Sequence, residues 1–388
     1  MSVNTMGIEQ AYTLIAALHS MATGHTSITP TNESDFISIA QATLVNGYDP
    51  VMNAISQVLG RTLIAVRPYR RKFGGLEMTA ERWGAVIRKI SFIDTPAEAN
   101  PTFTLVDGSP IDQYVVKKPK VLETRYVGSD VWMGHYTIFT RQLDVAFSSA
   151  AEFASFMSGL MLHFANEREQ WLENMSRATV ANFIAAKNQL NNGIIHVLTE
   201  YNAATGLSLT SITVKQPSNF PAFVRWLYAR VEELSKKMTE RSVLFQQAIT
   251  GADIIRHTPV EDQKIYILAD FLAHMEAEVL SDTYHDNYLK LADVEAVGFW
   301  QAIDKPDSLT VTPALIDASG AIDTGTSQVM TDVIGVMFDR DAIGYNVAQD
   351  ELVSSPYNAA GQYYNLFNHV RVQYQNDLTE KGIVLVLD

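Results

Sequence analysis

An α+β fold is what this sequence predicts. Three observations carry the prediction: one very long amphipathic stretch at residues 148–190, strand-like segments that do not alternate regularly with helices, and two extended arms joined by a polar stretch. The 388 residues, 47% of them hydrophobic, suffice for one large domain or for two to three units that share a core.

In chain order, residues 1–60 read as short helices divided by a turn-rich interval, Ser27-Ile28-Thr29-Pro30-Thr31-Asn32-Glu33-Ser34. Helix-like apolar spacing follows over 35–44 and 51–59. Residues 61–140 change character. Arg67-Pro68-Tyr69-Arg70-Arg71-Lys72-Phe73-Gly74-Gly75 is basic with a flexible glycine pair, and residues 86–93 lean towards strand. A polar, proline-rich interval at 94–119 separates these from strand candidates at 121–126 and 131–140. Such arms make a projecting hairpin, which cannot bury both faces within its own subunit and so invites a partner.

Within 148–190, Phe153, Phe156, Met157, Leu160, Met161 and Phe164 step by three and four, as one helix face requires. Trp171, Leu172, Met175, Phe183 and Ile184 continue that face. Ser148-Ser149 with Glu152 supplies an N-cap and an acidic first turn, and Asn191-Asn192-Gly193 supplies the stop. Unbroken, the helix would be on the order of 60 Å long; a kink near Ser176 would make it two helices, and the spacing leaves both open. Either version is a structural spine. Beyond it, 194–197 and 211–214 read as short strands around a loop at 202–206. Residues 217–221 form a boundary, and 220–245 form a helix with Phe223, Leu227, Val231 and Leu234 on one side. Residues 264–269 read as a buried strand, 271–280 and 284–291 as helices, and 305–331 as a turn-rich surface loop with one strand. Strand candidates close the chain at 333–338, 343–347, 368–374 and 382–387.

There are no cysteines, which excludes disulfides, thiolate metal sites and cysteine nucleophiles and fits a reducing cytoplasm. The first apolar stretch, residues 8–18, has no basic residue before it and contains Glu9 and Gln10, so it reads as a helix and not a signal peptide. No apolar run approaches the roughly 20 residues of a bilayer span, and no membrane partner is expected. The net charge of −14 disfavours a simple nucleic-acid binder. It is unevenly spread: residues 61–125 hold twelve Lys/Arg against seven Asp/Glu, whereas 251–388 hold seven against twenty-two. That asymmetry suits contact between copies, basic part against acidic part, although on charge alone two solvated surfaces are the plainer reading.

Chemistry is sparse. Dinucleotide, P-loop and nucleophile-elbow signatures are missing. His274 and Glu278 share a helix face at i, i+4, with Glu276, His285 and Asp286 nearby, a geometry open to a metal. Acidic helices produce such pairs often and no His-Glu-x-x-His pattern exists, so neither metal nor cofactor nor catalytic group is expected. Asp339 and Asp341 around Arg340, and Asp350 beside Glu351, read as turn-forming and strand-capping acids. His163 reads as a core or boundary histidine, and Met157, Met161 and Met175 as core filling. The run Arg67, Arg70, Arg71, Lys72, interleaved with Tyr69 and Phe73, could be a solvated loop or a nucleic-acid contact. Its place at the hairpin base favours a third reading, contact with a neighbouring acidic subunit. Arg88, Lys89, Lys117 and Lys118 complete that candidate contact set.

Several segments, taken in order, resemble the Hong Kong 97-type capsid proteins of tailed phages, and more closely those of the phi29-like podophages. They are Arg70-Arg71-Lys72-Phe73-Gly74-Gly75 leading into Val86-Ile87-Arg88-Lys89-Ile90, then Phe153-Ala154-Ser155-Phe156-Met157-Ser158, Val336-Met337-Phe338-Asp339-Arg340-Asp341, and the aromatic run Tyr363-Tyr364-Asn365-Leu366-Phe367-Asn368-His369-Val370. The chain departs from that group in ending at Asp388, directly after the last strand, without an appended immunoglobulin-like domain.

The resemblance implies an N-terminal arm (1–60), an extended hairpin (61–140), a peripheral domain with the spine helix (141–218), an axial domain (219–338) and a return to the peripheral domain (339–388). It further implies a major capsid protein that is not an enzyme. Its copies would form pentamers and hexamers around a scaffold, leave one position for a portal, and enclose double-stranded DNA without reading its sequence. It would be found in the virion capsid after assembly in the host cytoplasm. An encapsulin-like nanocompartment shell of the same fold, and a soluble metal-dependent α+β enzyme using His274, Glu278 and His285, are the alternatives.

Overall fold

The computed structural model describes residues 6–26, 29–45, 47–62, 71–78, 86–94, 97–100, 104–108, 112–127, 129–250, 254–282 and 294–388. In chain order the helices are α1 (Ile8–Thr23), α2 (Glu33–Val45), α3 (Tyr48–Thr62), α4 (Thr140–Ala146), α5 (Ala150–Gln189), α6 (Val197–Thr205), α7 (Phe220–Thr239) and α8 (Ala269–Asp282). The strands are β1 (Val86–Phe92), β2 (Val121–Val127), β3 (Asp130–Phe139), β4 (Ile194–His196), β5 (Gln263–Leu268), β6 (Val294–Val297) and β7 (Leu309–Val311). They continue with β8 (Ala314–Ile316), β9 (Ile322–Thr324), β10 (Gln328–Met330), β11 (Val333–Asp339), β12 (Ile343–Ser354), β13 (Tyr363–Asn376) and β14 (Gly382–Val386). These gather into two compact units, one of Met1–Trp83, Ser129–Met175 and Tyr345–Gln373, the other of Gly84–Gly128, Ser176–Gly344 and Tyr374–Asp388.

Helix α5 is continuous through Ser176, so the spine is a single 40-residue helix. Ser149 Oγ accepts from Glu152 N–H at 3.2 Å, fixing its start. Its end is set where the chain turns left-handed, at Asn191 (φ 46°) and Gly193 (φ 77°), with Asn192 N–H donating to Lys187 O at 3.1 Å.

In the first unit, α1, α2 and α3 bury Ile15, Leu18, Phe36, Ala40, Met52 and Ile55 in one cluster with Phe147, Phe153, Met157 and Phe164. The Phe36 and Phe153 rings lie 5.7 Å apart. Within the N-terminal 60 residues, expected as an arm, α1, α2 and α3 are therefore part of this core. A three-stranded sheet, β12-β13-β3, supplies the other layer. Strand β3, which the sequence suggested belonged to the hairpin, pairs instead with β13, from Phe139↔Tyr363 to Asp130↔Val372. Its register follows from period 2: Gly134 and Ile138 are buried while Val131, Met133 and His135 are exposed.

Gly134 is required by the helix. A Cβ there would overlap the ring of Trp171 on α5. Gly134→Val should cost about 3 kcal/mol as strand and helix are forced apart, measured as a lower denaturation midpoint; an unchanged midpoint would mean that Trp171 swings aside freely.

The second unit is built on the sheet β4-β14-β11-β5-β6, antiparallel at its centre and parallel at both edges. Every residue of β11 and β14 is buried, so both faces of the sheet are covered. Phe183 from the far end of α5 packs at 5.9 Å against Phe338 of β11. The strand expected at 211–214 is a turn instead, because the Thr210 and Thr213 hydroxyls take each other's backbone N–H groups. The helix expected over 220–245 ends at Thr239, where irregular backbone begins.

Two buried lysines bind the carbonyls of that irregular segment. Lys187 Nζ donates to Phe245 O at 2.7 Å, and Lys381 Nζ to Glu240 O at 2.6 Å. Both residues are 0% exposed. Burial pushes the Lys187 ammonium down to about 7, while Asp377 and Glu380 pull against that shift.

The interval 305–331 holds two small ribbons, β7 with β10 and β8 with β9, where one strand was expected. Side-chain amides on α5 fasten them. Asn182 exchanges two hydrogen bonds with Ala314, at 2.8 and 3.2 Å, and Gln189 Oε1 accepts from Thr326 N–H at 2.9 Å. The helix expected at 284–291 lies outside the described residues.

Candidate intersubunit surface

Strands β1 and β2 pair antiparallel from Val86↔Val127 to Phe92↔Val121 and, among the described residues, join no third strand. Successive side chains alternate between two faces. Lys89 and Ser91 lie on one; Arg88, Ile90 and Phe92, opposite Arg125, Glu123 and Val121, lie on the other. The second face is open: Phe92 is 68% exposed, and Ile90 and Val121 are more than half exposed. Arg125 and Arg88 both reach Glu123 Oε1, at 2.8 and 2.6 Å, and hold its carboxyl down to about 2. After the polar interval, the leg into β2 exposes Tyr114, Val115 and Val116 beside Lys117, Lys118 and Lys120.

The first face sits on the body of its own unit through charges. Lys89 Nζ bonds Asp377 Oδ2 at 2.8 Å and Glu380 Oε1 at 2.5 Å. Arg256 reaches Glu380 at 3.3 Å and Ser91 Oγ at 2.9 Å. Asp94 pairs with Arg241 and accepts from Ile255 N–H at 3.1 Å. Burial by itself would raise the Asp377 carboxyl; the Lys89 ammonium and the bonds from Thr379 outweigh it and leave the group below its ordinary value. Burial dominates at Glu380, which stays raised despite Lys89 and Arg256. Burial would also lower the Lys89 ammonium, but the two acids raise it overall.

Of the residues proposed from sequence for contact between copies, Arg67 and Arg70 lie outside the described residues. Two others are instead engaged inside their own unit. Arg71 is 7% exposed, ion-paired with Glu77 and with Glu169 at 3.2 Å, and 5.4 Å from the Tyr345 ring. It is occupied inside its own unit, because Glu169 and Glu173 stand one turn apart on α5 and draw in the 3-10 turn Lys72–Leu76: the Lys72 N–H donates to Glu173 Oε2 at 2.9 Å. Lys89 is likewise committed to Asp377 and Glu380. Lys72, Arg88, Lys117 and Lys118 are exposed. Arg88 shares Glu123, and Lys117 pairs with Glu98 inside the hairpin interval.

The other candidates have structural partners. The His274 ring meets Phe220 edge-on at 4.9 Å, and Glu278 pairs with Arg225 at 3.1 Å; His285 and Asp286 lie outside the described residues. Asp339 accepts from Thr258 Oγ1 at 2.8 Å and from Asp341 N–H at 2.9 Å, and burial raises its carboxyl. Asp350 pairs with Arg168 at 2.7 Å. The His163 ring lies 5.1 Å from the Tyr136 ring, tilted against it. Among the described residues no cluster of His, Asp and Glu fit for a metal occurs, and no helix is long and apolar enough to cross a membrane.

Sequence reasoning missed the acidic seat, Asp377 and Glu380, because nothing local marks its partner. It also missed the open apolar stripe, although the alternation Ile90, Phe92 was a visible signal of it.

Comparison with known proteins follows the fold. A chain in the capsid structure of Staphylococcus phage Andhra is similar, with 12% identity, a TM-score of 0.55, and coverage of 82% of this chain and 84% of that one. A chain in the structure of the head fibre and inner core protein gp22 of native bacteriophage P68 is similar at 11% identity, with a TM-score of 0.53 and coverage of 82% and 85%. At such identities the likeness establishes the fold, that of phage capsid chains. No curated protein sequence matches. The family model for the Phi29-like phage major capsid protein matches residues 15–386. With a mixed helix-and-sheet fold, a hairpin that leaves one face open and a family match over nearly its whole length, the chain belongs to the Phi29-like phage major capsid proteins, structural components of a phage shell and not enzymes.

Proposed function

We propose that copies of this chain associate as pentamers and hexamers around a scaffold, leave one position for a portal, and close a shell around double-stranded DNA in the host cytoplasm. Each hairpin lies across the adjacent copy, and residues 219–338, as an axial domain, meet their counterparts at the capsomer centre. The open face of β1 and β2 carries the reading. A two-stranded ribbon is marginal alone in water, and one that exposes Ile90, Phe92 and Val121 beside a pair of arginines gains most by being covered. The acidic balance of the whole chain fits a container that encloses DNA without binding it tightly.

Negative-stain microscopy of the purified chain, with and without a co-expressed scaffold, tests this. Shells are expected from the unaltered chain. Ile90→Asp with Phe92→Asp should abolish them while leaving the monomer's melting curve unchanged. Normal shells from that variant would remove the hairpin from the mechanism, and a chain that stays monomeric throughout would end the assembly reading.

A further inference from the structure

The lobe at residues 299–332 is unusual on this molecule. It exposes three aliphatic side chains, Ile303, Ile322 and Val329, the first two by more than 80%. Its charge is one-sided: five aspartates (304, 307, 317, 323 and 332) against Lys305 alone, a net of −4. The ribbons are short, and Asn182 and Gln189 of α5 bond the backbone at Ala314 and Thr326. A lobe that exposes aliphatic groups among acids suits a partner that is apolar and basic.

The same chain carries such a segment. Residues 113–121 hold Lys117, Lys118 and Lys120 and no acid, with Tyr114 and Val116 exposed by 80% and 78%. Lys118 and Lys120 are exposed and have no acid partner among the described residues. The outer face of the β3 and β13 sheet is a poorer receiver. It is apolar, but it carries Arg371, opposite Val131, which does not complement lysines.

We infer that the lobe of one copy is the surface on which leg 113–121 of another copy's hairpin docks. The aliphatic groups of both sides meet, and the lysines face Asp304 and Asp323. This rests on the reading that the hairpin lies on a neighbour, and it names the surface that receives it.

Because the chain has no cysteine, engineered thiols report proximity without background. Chains carrying only Val116→Cys and chains carrying only Ile322→Cys are co-assembled and oxidised with copper–phenanthroline. A covalent dimer that forms only when both are present is expected. In parallel, Lys117→Glu/Lys118→Glu/Lys120→Glu, or Asp304→Lys/Asp323→Lys, should each lower shell yield about tenfold, and the combined swap should restore most of it. Unchanged monomer melting curves show that the fold is kept. No mixed disulfide, together with normal shells from the aspartate variant, would overturn the assignment. The hairpin reading would then stand or fall separately on the Ile90/Phe92 variant.

Discussion

Arg71→Glu is expected to unfold the first unit rather than merely to weaken contact between copies. The guanidinium is buried against Glu169, itself 5% exposed, and against Glu77. Removing one member of a buried pair costs about 3–5 kcal/mol because the other charge is left uncompensated. Reversal goes further and places a third carboxylate there, beside a helix that already presents Glu173. A loss of at least about 4 kcal/mol should follow, read as the collapse of the cooperative denaturation transition. Arg71→Lys, which keeps the charge but loses the fork, should retain part of the stability. A reversal variant with the parent midpoint would show that this arginine is solvated after all.

Lys89→Met should release the hairpin from its own body. Asp377 is fully buried and Glu380 nearly so, and the lysine is the cation they share. Its loss should cost about 3 kcal/mol and expose β1 and β2 to limited proteolysis well before the rest of the second unit. The pH dependence has a defined sign. The Asp377 carboxyl is depressed in the fold, so its contribution is present above the unfolded value near ~3.9 and disappears as pH falls through the lower folded value. Glu380 is raised and works in the opposite sense, its contribution present at low pH and lost as pH rises through its folded value. Lys89 is raised and remains charged until alkaline pH. In the methionine variant only the bonds from Thr379 still oppose burial at Asp377, and acid should relieve it. The stability gap between parent and variant should therefore narrow from pH 7 to below pH 4. A gap that stays constant would mean that Lys89 and Asp377 are not coupled.

Parts of this fold could be read directly from sequence, and the division is physical. The spine was visible because Phe153, Phe156, Met157, Leu160, Met161 and Phe164 repeat with helical spacing, a signal written within a few turns. Strands β5, β11 and β14 were visible as apolar runs for the same reason. What failed was whatever depended on a distant partner. Residues 131–140 have strand character, but only β13, more than two hundred residues away, decides which sheet they join. Arg71 and Lys72 sit in a basic run that reads as solvated. Their engagement with Glu169 and Glu173 spans about a hundred positions and could not be inferred from the run itself. Charge is therefore the weaker guide to a docking surface here. Of the described cations in the proposed set, Arg71 and Lys89 are engaged internally, while the open face of the hairpin carries Ile90 and Phe92, which composition never singled out.

Lys187 and Lys381 bring a practical dividend. Both amines are sealed inside the second unit, each bonded to a carbonyl of the segment after α7, and burial brings Lys187 down to about 7. Acylating dyes that tag surface amines cannot reach either one while that unit stays closed, whether the chain is free or part of a shell. Modification at these two positions therefore serves as an internal clock for the opening of the second unit, independent of anything that happens at the particle's outer surface.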